Sequence, residues 1–255
     1  MLNIGIQAAH AAGDIIVRSL EQVADIPVNE KGLNDYVTEI DKMAEVAIID
    51  TILKFHPEHS IIAEESGERG NGEFQWIIDP LDGTTNYIHG FPQFAVSIAL
   101  RHNNTLEQAI IYDPLRQELF TATRGNGAHL NNRRIRVSNR KNLNGALLGT
   151  GFPFGDSDKL ESFIQTFRAI FPLTAGIRRA GAASLDLAYV ACGRLDGFWE
   201  YGLKPWDIAA GALLIAEAGG FISDISGNED FLDKGNIIAC NAKLHATLLD
   251  IINRS

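Results

Sequence analysis

Apolar side chains recur along this chain at two periods, and the switches between them mark out its elements. Leu2, Ile6, Ala9, Ile16 and Leu20 fall close to helical spacing, which predicts a first helix over residues 2–22. Residues 24–36 turn polar and contain Pro27 and Gly32, a pattern that predicts a loop. Thr38 followed three residues later by Asp41 has the form of a helix-starting box. Ala44, Ala47, Ile48, Thr51, Ile52 and Phe55 then continue at helical period. Ser60–Ala63 reads as a short strand running into Glu64-Glu65-Ser66-Gly67. The loop through Asn71-Gly72 returns to the apolar run Trp76-Ile77-Ile78, a buried strand. Pro80 has no N–H and a fixed φ, so that strand's ladder is expected to end there. Residues 94–102, 106–112 and 118–123 predict an antiparallel meander with short turns, followed by a turn at Arg124-Gly125-Asn126-Gly127.

Beyond the basic stretch 131–141 strands and helices alternate. Strands are predicted at 146–150, 196–201, 221–225 and 237–240, and helices at 158–171, 182–191, 207–218 and 243–252. Gly219-Gly220 serves as the C-cap of the alanine-rich third helix of that set. The basic stretch is the expected passage between an N-terminal α+β domain, residues 1–140, and a C-terminal α/β domain, residues 141–255. Mixed elements in both halves make the chain a layered α+β or α/β protein.

Composition changes this picture little. The 255 residues are 45% hydrophobic and 21% charged, enough to bury a large core without staples. Thirty-two acidic against 22 basic residues leave a formal net charge of −10, which argues against a broad nucleic-acid or anionic-membrane footprint. Cys192 and Cys240 lie far apart without a CxxC pair, so a disulfide framework or zinc site is not expected. Both read as buried thiols of a reducing, cytoplasmic setting. No stretch reaches the apolar length of a membrane span, and the first residues lack the basic-then-apolar pattern of a signal peptide. His56 and His59 flank Pro57 in a loop and make poor metal ligands.

The candidate chemistry lies at Asp79-Pro80-Leu81-Asp82-Gly83-Thr84-Thr85-Asn86. Two carboxylates project from one strand end. Gly83 lets the backbone approach a ligand, and Thr84 or Thr85 caps a following helix whose N–H groups suit a phosphate. Carboxylates beside a phosphate repel it unless a hard cation lies between, and oxygen ligands plus a phosphate are the usual setting of Mg²⁺. A capped turn with two solvated aspartates is the competing reading. Two more segments end in carboxylates near small residues: Glu64-Glu65-Ser66, where only one of the pair faces a site, and Trp206-Asp207-Ile208-Ala209-Ala210-Gly211, where Asp207 is read as a helix cap. A phospho-aspartate phosphatase places nucleophile and acid two residues apart, whereas the spacing here is three with Pro80 between. Gly149-Thr150-Gly151-Phe152-Pro153-Phe154-Gly155 has the wrong spacing for a dinucleotide site, and a nucleophile elbow is absent.

Taken together, Lys31-Gly32-x-x-Asp35-x-Val37-Thr38-x-x-Asp41, Glu64-Glu65-Ser66, Asp79 to Asn86, Glu200, Trp206-Asp207-x-Ala209-Ala210-Gly211 and Glu217-Ala218-Gly219-Gly220 give a chain that resembles the bacterial inositol monophosphatases of the SuhB type. These motifs cover most of the chain in the family's order. The resemblance implies a layered α/β/α/β/α sandwich of the inositol monophosphatase/fructose-1,6-bisphosphatase type, with two or three Mg²⁺ per subunit. Glu64, Asp79 and the Leu81 carbonyl would hold one ion, and Asp79, Asp82 and Asp207 a second, with Glu64 serving a weaker third. Thr84, oriented by Asp41, would position and deprotonate the attacking water. The backbone N–H groups of Gly83 and Thr84 would take phosphate oxygens, while Asp82, Asp207, Glu200 and Gly181-Ala182-Ala183 would meet substrate. Lys31 and Gly32 lie in a loop closing over the site. Four converging carboxylates repel one another and raise some of their pKa values.

The implied activity is Mg²⁺-dependent hydrolysis of inositol 1-phosphate or a similar phosphorylated polyol by a homodimer of lithium-sensitive type. Fructose 1,6-bisphosphate and 3′-phosphonucleotides are alternative substrates. A protein-binding role in transcription, with contact to RNA polymerase factors through Arg178-Arg179 or the basic residues 133–141, is the alternative from another class.

Overall fold

Alternating burial along two sheets sorts this chain into five layers. The structure, a computed structural model, describes residues 1–20, 28–32, 35–153 and 157–254, with only the backbone described at 28–37 and 157–158. The first half holds α1 (Leu2–Ser19), β1 (Val28–Gly32), β2 (Asp35–Thr38), α2 (Glu39–Phe55), β3 (Ser60–Ala63), β4 (Gly67–Arg69), β5 (Phe74–Asp82), α3 (Thr84–Ile88), β6 (Ala95–His102), β7 (Thr105–Asp113), β8 (Glu118–Thr123), β9 (Gly127–Leu130) and β10 (Arg133–Arg134). The second half holds β11 (Leu147–Thr150), α4 (Ser157–Ile170), β12 (Gly176–Arg178), α5 (Ala183–Ala191), β13 (Gly197–Glu200), α6 (Pro205–Glu217), β14 (Phe221–Asp224), α7 (Phe231–Lys234), β15 (Ile237–Cys240) and α8 (Ala242–Arg254). An eight-stranded sheet runs β10-β9-β8-β7-β6-β5-β3-β4, and a five-stranded sheet runs β12-β11-β13-β15-β14.

Side chains alternate across a strand, so each sheet presents two faces. Trp76, Ile78, Val96, Ile98 and Ile110 pack with Ala8, Ala12, Ile16, Ile48 and Ile52 of α1 and α2. Ile77, Ala99, Ala109, Ile111 and Phe120 face the other way, onto Leu187 and Val190 of α5 and Ile208 and Leu213 of α6. The same inner helices meet Phe198, Ile237 and Ala239 of the smaller sheet. Trp199, Ile238 and Cys240 point outward to Phe163 of α4 and to Leu244 and Leu248 of α8. The order is therefore α/β/α/β/α, as expected.

Several local expectations change. Pro80 does not end the central strand. Asp79 pairs with Ser97 and Asp82 with Ala95, so β5 carries one residue more than β6 over that interval, and Pro80 sits in the resulting bulge, where its missing N–H is harmless. The loop expected at 24–36 is in part a hairpin, because β1 and β2 pair antiparallel. Residues 21–27, 33 and 34, including the end of the first predicted helix, lie outside the described residues. The Thr38 box holds: Thr38 caps α2, and Asp41 returns a bond to its N–H. Cys240 is fully buried, and burial pushes its thiol up; Cys192 is only half-buried.

The small residues of the Trp206–Gly211 segment acquire a packing reason here. A Cβ at Gly211 would stand 2.5 Å from Leu187 Cβ, because α5 and α6 lie against each other between the sheets. Gly211→Ala is expected to destabilise the protein by about 1–3 kcal/mol through overpacking, although alanine is intrinsically the better helix former by about 1 kcal/mol. A lowered midpoint of urea unfolding checks this, and an unchanged or raised midpoint contradicts it.

Candidate active site

Three chain segments bring carboxylates together. Glu64 follows β3, the parallel neighbour of β5, and its N–H donates to the Ile78 carbonyl at 3.1 Å, which seats it beside Asp79. The bulge in β5 lets Asp79 and Asp82 serve one site from positions three apart. Leu81 N–H donates to Asp79 Oδ1 at 3.0 Å, closing the turn. Asp207 is not the cap of α6 but its third residue; Lys204 holds the cap position and donates its N–H to Asp207 Oδ2 at 2.7 Å. Asp79, Asp82 and Asp207 each offer an oxygen within 4.8 Å of the others.

This gathering is electrostatically expensive, and the acids respond as expected. Burial, followed by the charges of Glu64, Asp82 and Asp207, holds Asp79 well above the usual carboxylate range. Burial pushes Asp82 up to about 6, against the opposing pull of hydrogen bonds from Ser184. Ser184 donates both its N–H, at 2.7 Å, and its hydroxyl to Asp82 Oδ2. Asp207 rises to about 8 through burial and the charge of Asp82, with the Lys204 N–H pulling the other way.

The neighbouring hydroxyl is equally well placed. Gly83, with φ at 95°, fills the cap position of α3, so Thr84 does not cap it. A side chain at Gly83 would also meet the Gln93 carbonyl at 2.9 Å. Thr84 Oγ1 instead lies 2.9 Å from Asp41 Oδ1 and 3.1 Å from the Leu81 carbonyl, either of which accepts its proton. Asp41 is fully buried, and its other oxygen accepts from Thr38 N–H at 2.8 Å and from the Thr38 hydroxyl. Asn86 Nδ2 donates to the carbonyls of Gln93, Ala180 and Gly181, tying α3 to the start of α5.

Above these groups opens a cavity of about 540 Å³. Of the expected residues, Asp82, Gly83, Thr84, Gly181, Ala182, Ala183, Glu200 and Asp207 line it. Asp79 shares the floor with Asp82 and Asp207, Glu64 and Leu81 adjoin it, and Asp41 backs Thr84. Gly32 ends β1, and the Lys31 side chain lies outside the described residues. Sequence reasoning missed Ser184 and Asp186. It also read Arg179 as part of a protein-contact surface, whereas its guanidinium stacks over the Phe152 ring at 4.9 Å and borders the cavity. Burial and the charge of Asp82 hold Asp186 well above the usual range, and burial with Asp186, Asp207 and Asp82 does the same to Glu200.

The floor suits Mg²⁺. All its donors are hard oxygens, and its mutual repulsion is the kind a divalent ion relieves. His56, Glu58 and His59 also approach one another within 4.8 Å. However, Trp76 Nε1–H donates to His59 Nδ1 at 3.0 Å, so the neutral ring carries its proton on Nε2 and has no lone pair there for a cation.

A carboxyl whose pKa is raised by folding binds its proton more tightly in the folded state. Its contribution to stability is full below the ordinary carboxylate pKa and is lost as pH rises through the folded value. With Asp82 near 6 and Asp207 near 8, the chelator-treated protein is expected to lose stability from this cluster between about pH 4 and pH 8. Its melting temperature should fall across that window, Mg²⁺ should restore it at the upper end, and Asp207→Asn should flatten the dependence. Calorimetry in chelator at several pH values measures this; a flat profile unaffected by Mg²⁺ contradicts it.

Comparison with known proteins agrees with this geometry. The model of the inositol monophosphatase family matches residues 1–255. The Nus factor SuhB of Pseudomonas aeruginosa is 57% identical over 258 residues, covering 99% of this chain and 95% of that protein. The crystal structure of the extragenic suppressor protein suhB from Bartonella henselae is 44% identical with a TM-score of 0.96, covering 99% of this chain and 98% of that one. The inositol monophosphatase of Anabaena is 40% identical with a TM-score of 0.86, covering 99% and 95%. The five-layer sandwich is thus that of a known group: the chain belongs to the inositol monophosphatase family.

Proposed function

We propose that this chain is a Mg²⁺-dependent phosphomonoesterase that hydrolyses inositol 1-phosphate or a closely similar polyol phosphate. The observation that carries the reading is the set of three aspartate oxygens within 4.8 Å on the floor of the cavity, beside a threonine hydroxyl held by a buried aspartate. Glu64, Asp79 and the Leu81 carbonyl would hold one ion, Asp79, Asp82 and Asp207 a second, and Glu64 a weaker third. When bound, such ions neutralise the carboxylates, lower the pKa of water and stabilise charge on the departing oxygen.

The remaining work falls to the chain. With its proton turned to Asp41, Thr84 Oγ1 presents a lone pair to the cavity and accepts a proton from the attacking water. Thr84 passes its own proton to Asp41 as it does so. The N–H groups of Gly83 and Thr84 take phosphate oxygens, so in-line attack proceeds on a positioned ester. Glu200 and the Gly181–Ala183 segment meet the hydroxyls of the alcohol part. The division into units at about residue 140, the homodimer, the cytoplasmic setting and the lithium sensitivity implied by the resemblance belong to this proposal as well. Among the described residues no helix is long and apolar enough to cross a membrane.

Asp82→Asn is expected to lower phosphate release on the order of a hundredfold or more, since it removes charge from the floor. Release should be followed over a panel of inositol 1-phosphate, fructose 1,6-bisphosphate and a 3′-phosphonucleotide, with and without Mg²⁺. Turnover by the variant at the parent rate would sink the assignment, and the panel ranks the substrates.

A second reading is favoured by the name of the Pseudomonas relative, a Nus factor. Arg133 and Arg134 form the exposed edge strand β10, and Arg178 lies exposed on the edge strand β12. A transcription-machinery partner recognising this basic surface would be lost on charge reversal of Arg133 and Arg134. Pull-down of RNA polymerase factors by parent and variant checks this; an identical bound set removes the reading's support.

A further inference from the structure

Two glycines set two apart on one strand clear a face of that strand. Gly149 lies in β11 and Gly151 just beyond it, so their missing Cβ atoms fall on the same side. A Cβ at Gly149 would meet Phe198 at 3.0 Å and Asp186 Cγ at 3.6 Å, and a Cβ at Gly151 would overlap the Glu200 carboxyl. Thr150 pairs with Trp199 on β13, which brings Glu200 alongside Gly151, and Asp186 reaches the same place from the first turns of α5. The space at Gly151 is therefore filled by the Glu200 carboxyl from β13, while Gly149 sits under Leu195 and Phe198 with the Asp186 carboxyl of α5 in van der Waals reach. Both carboxyl groups line the cavity.

The Arg179 guanidinium, which borders the same cavity, acts on both groups through its charge. Asp186 is 2% exposed, and among the described residues no donor reaches its carboxyl or that of Glu200. Buried carboxyls are ordinarily hydrogen-bonded. Two that are not, facing one cavity from adjacent elements, are open acceptors for something that enters it. They also stand apart from the floor: the trio with cation-ligand spacing is Asp79, Asp82 and Asp207, without either of them.

We infer that Asp186 is a specificity-determining residue which acts with Glu200 to accept hydrogen bonds from two hydroxyls of the ester's alcohol part. A carboxyl group keeps hydrogen-bond acceptors whether ionised or protonated, so the matching ligand is one rich in O–H donors, a polyol or sugar phosphate. An ester with a bare hydrocarbon alcohol leaves both acceptors unpaired in the closed complex and is disfavoured. This inference rests on the phosphatase reading above.

The test compares inositol 1-phosphate with phenyl phosphate at saturating Mg²⁺, in the parent, Asp186→Ala and Asp186→Asn. The ratio of the two kcat/KM values is expected to fall roughly tenfold or more in Asp186→Ala, chiefly through KM for the inositol ester. It should fall less in Asp186→Asn, whose amide oxygen keeps one acceptor. If the alanine variant does not fold, the asparagine variant decides. A ratio within about twofold of the parent's in every folded variant overturns the inference, as does a shifted Mg²⁺ half-saturation with an unshifted ratio. A parent that releases phosphate from neither ester overturns the phosphatase reading and this inference with it. An active parent with a fixed ratio overturns the inference alone.

Discussion

Negative charges brought into one cavity repel, and this chain gathers its acids from segments more than a hundred residues apart. Asp79 and Asp82 come from the middle of the larger sheet, Glu64 from the strand beside it, and Asp207 from a helix of the inner layer. Burial raises each carboxyl of the floor, and repulsion adds to it at Asp79 and Asp207. A framework that tolerates it must be stiff, and the layered core supplies that stiffness. β5 is hydrogen-bonded on both edges, by β3 and β6, and its two faces are covered by separate helical layers. Backbone donors then hold individual oxygens: Leu81 N–H on Asp79, Ser184 N–H on Asp82 and Lys204 N–H on Asp207. Each of these N–H groups lies at a turn or a helix start, where it has no ladder partner and is available for the purpose.

Much of this was legible because it is local. The Thr38–Asp41 box, the meander and the helix over 242–254 follow from spacing and turn residues within short windows. So did the acidic cluster at 79–86, where proline, glycine and two acids crowd into eight positions. The bulge was not legible, since it is defined by the partner strand: Pro80 interrupts a ladder only if the register across to β6 stays regular, and it slips instead. The Thr84–Asp41 bond joins residues 43 apart and exists only once α2 and α3 meet. Ser184 and Asp186 sit in a run of small and apolar residues with no motif around them. One signal was present and went unread. Asn131 and Asn132 both take positive φ, the pattern of a two-residue hairpin turn, and they close β9 onto β10 inside what read as a basic passage.

The glycines of 149–151 show how a motif can be weighed for the wrong ligand. As a dinucleotide-binding loop the spacing fails. Their purpose is steric in another sense, because Leu195 and Phe198 occupy the space at Gly149 and the Glu200 carboxyl that at Gly151. A glycine that admits a neighbour's side chain looks the same in sequence as one that admits a ligand.

α5 links the two acidic regions. Its first turn gives Ser184 to Asp82, and with successive residues of a helix about 100° apart, Asp186 two positions on points to a different side, toward the wall. The floor is thus braced by the same turn that carries the wall's second carboxyl. The two regions nevertheless ask for different partners. The floor repels itself at close range, which a divalent cation relieves, while the two wall carboxyls offer acceptors to a hydroxyl. Under the proposed function a phosphorylated polyol held by cations would bring both at once, its phosphate to the floor and its hydroxyls to the wall. Separation of these demands onto two faces of one cavity would, under the proposed function, let a single fold keep one floor while the wall selects the alcohol.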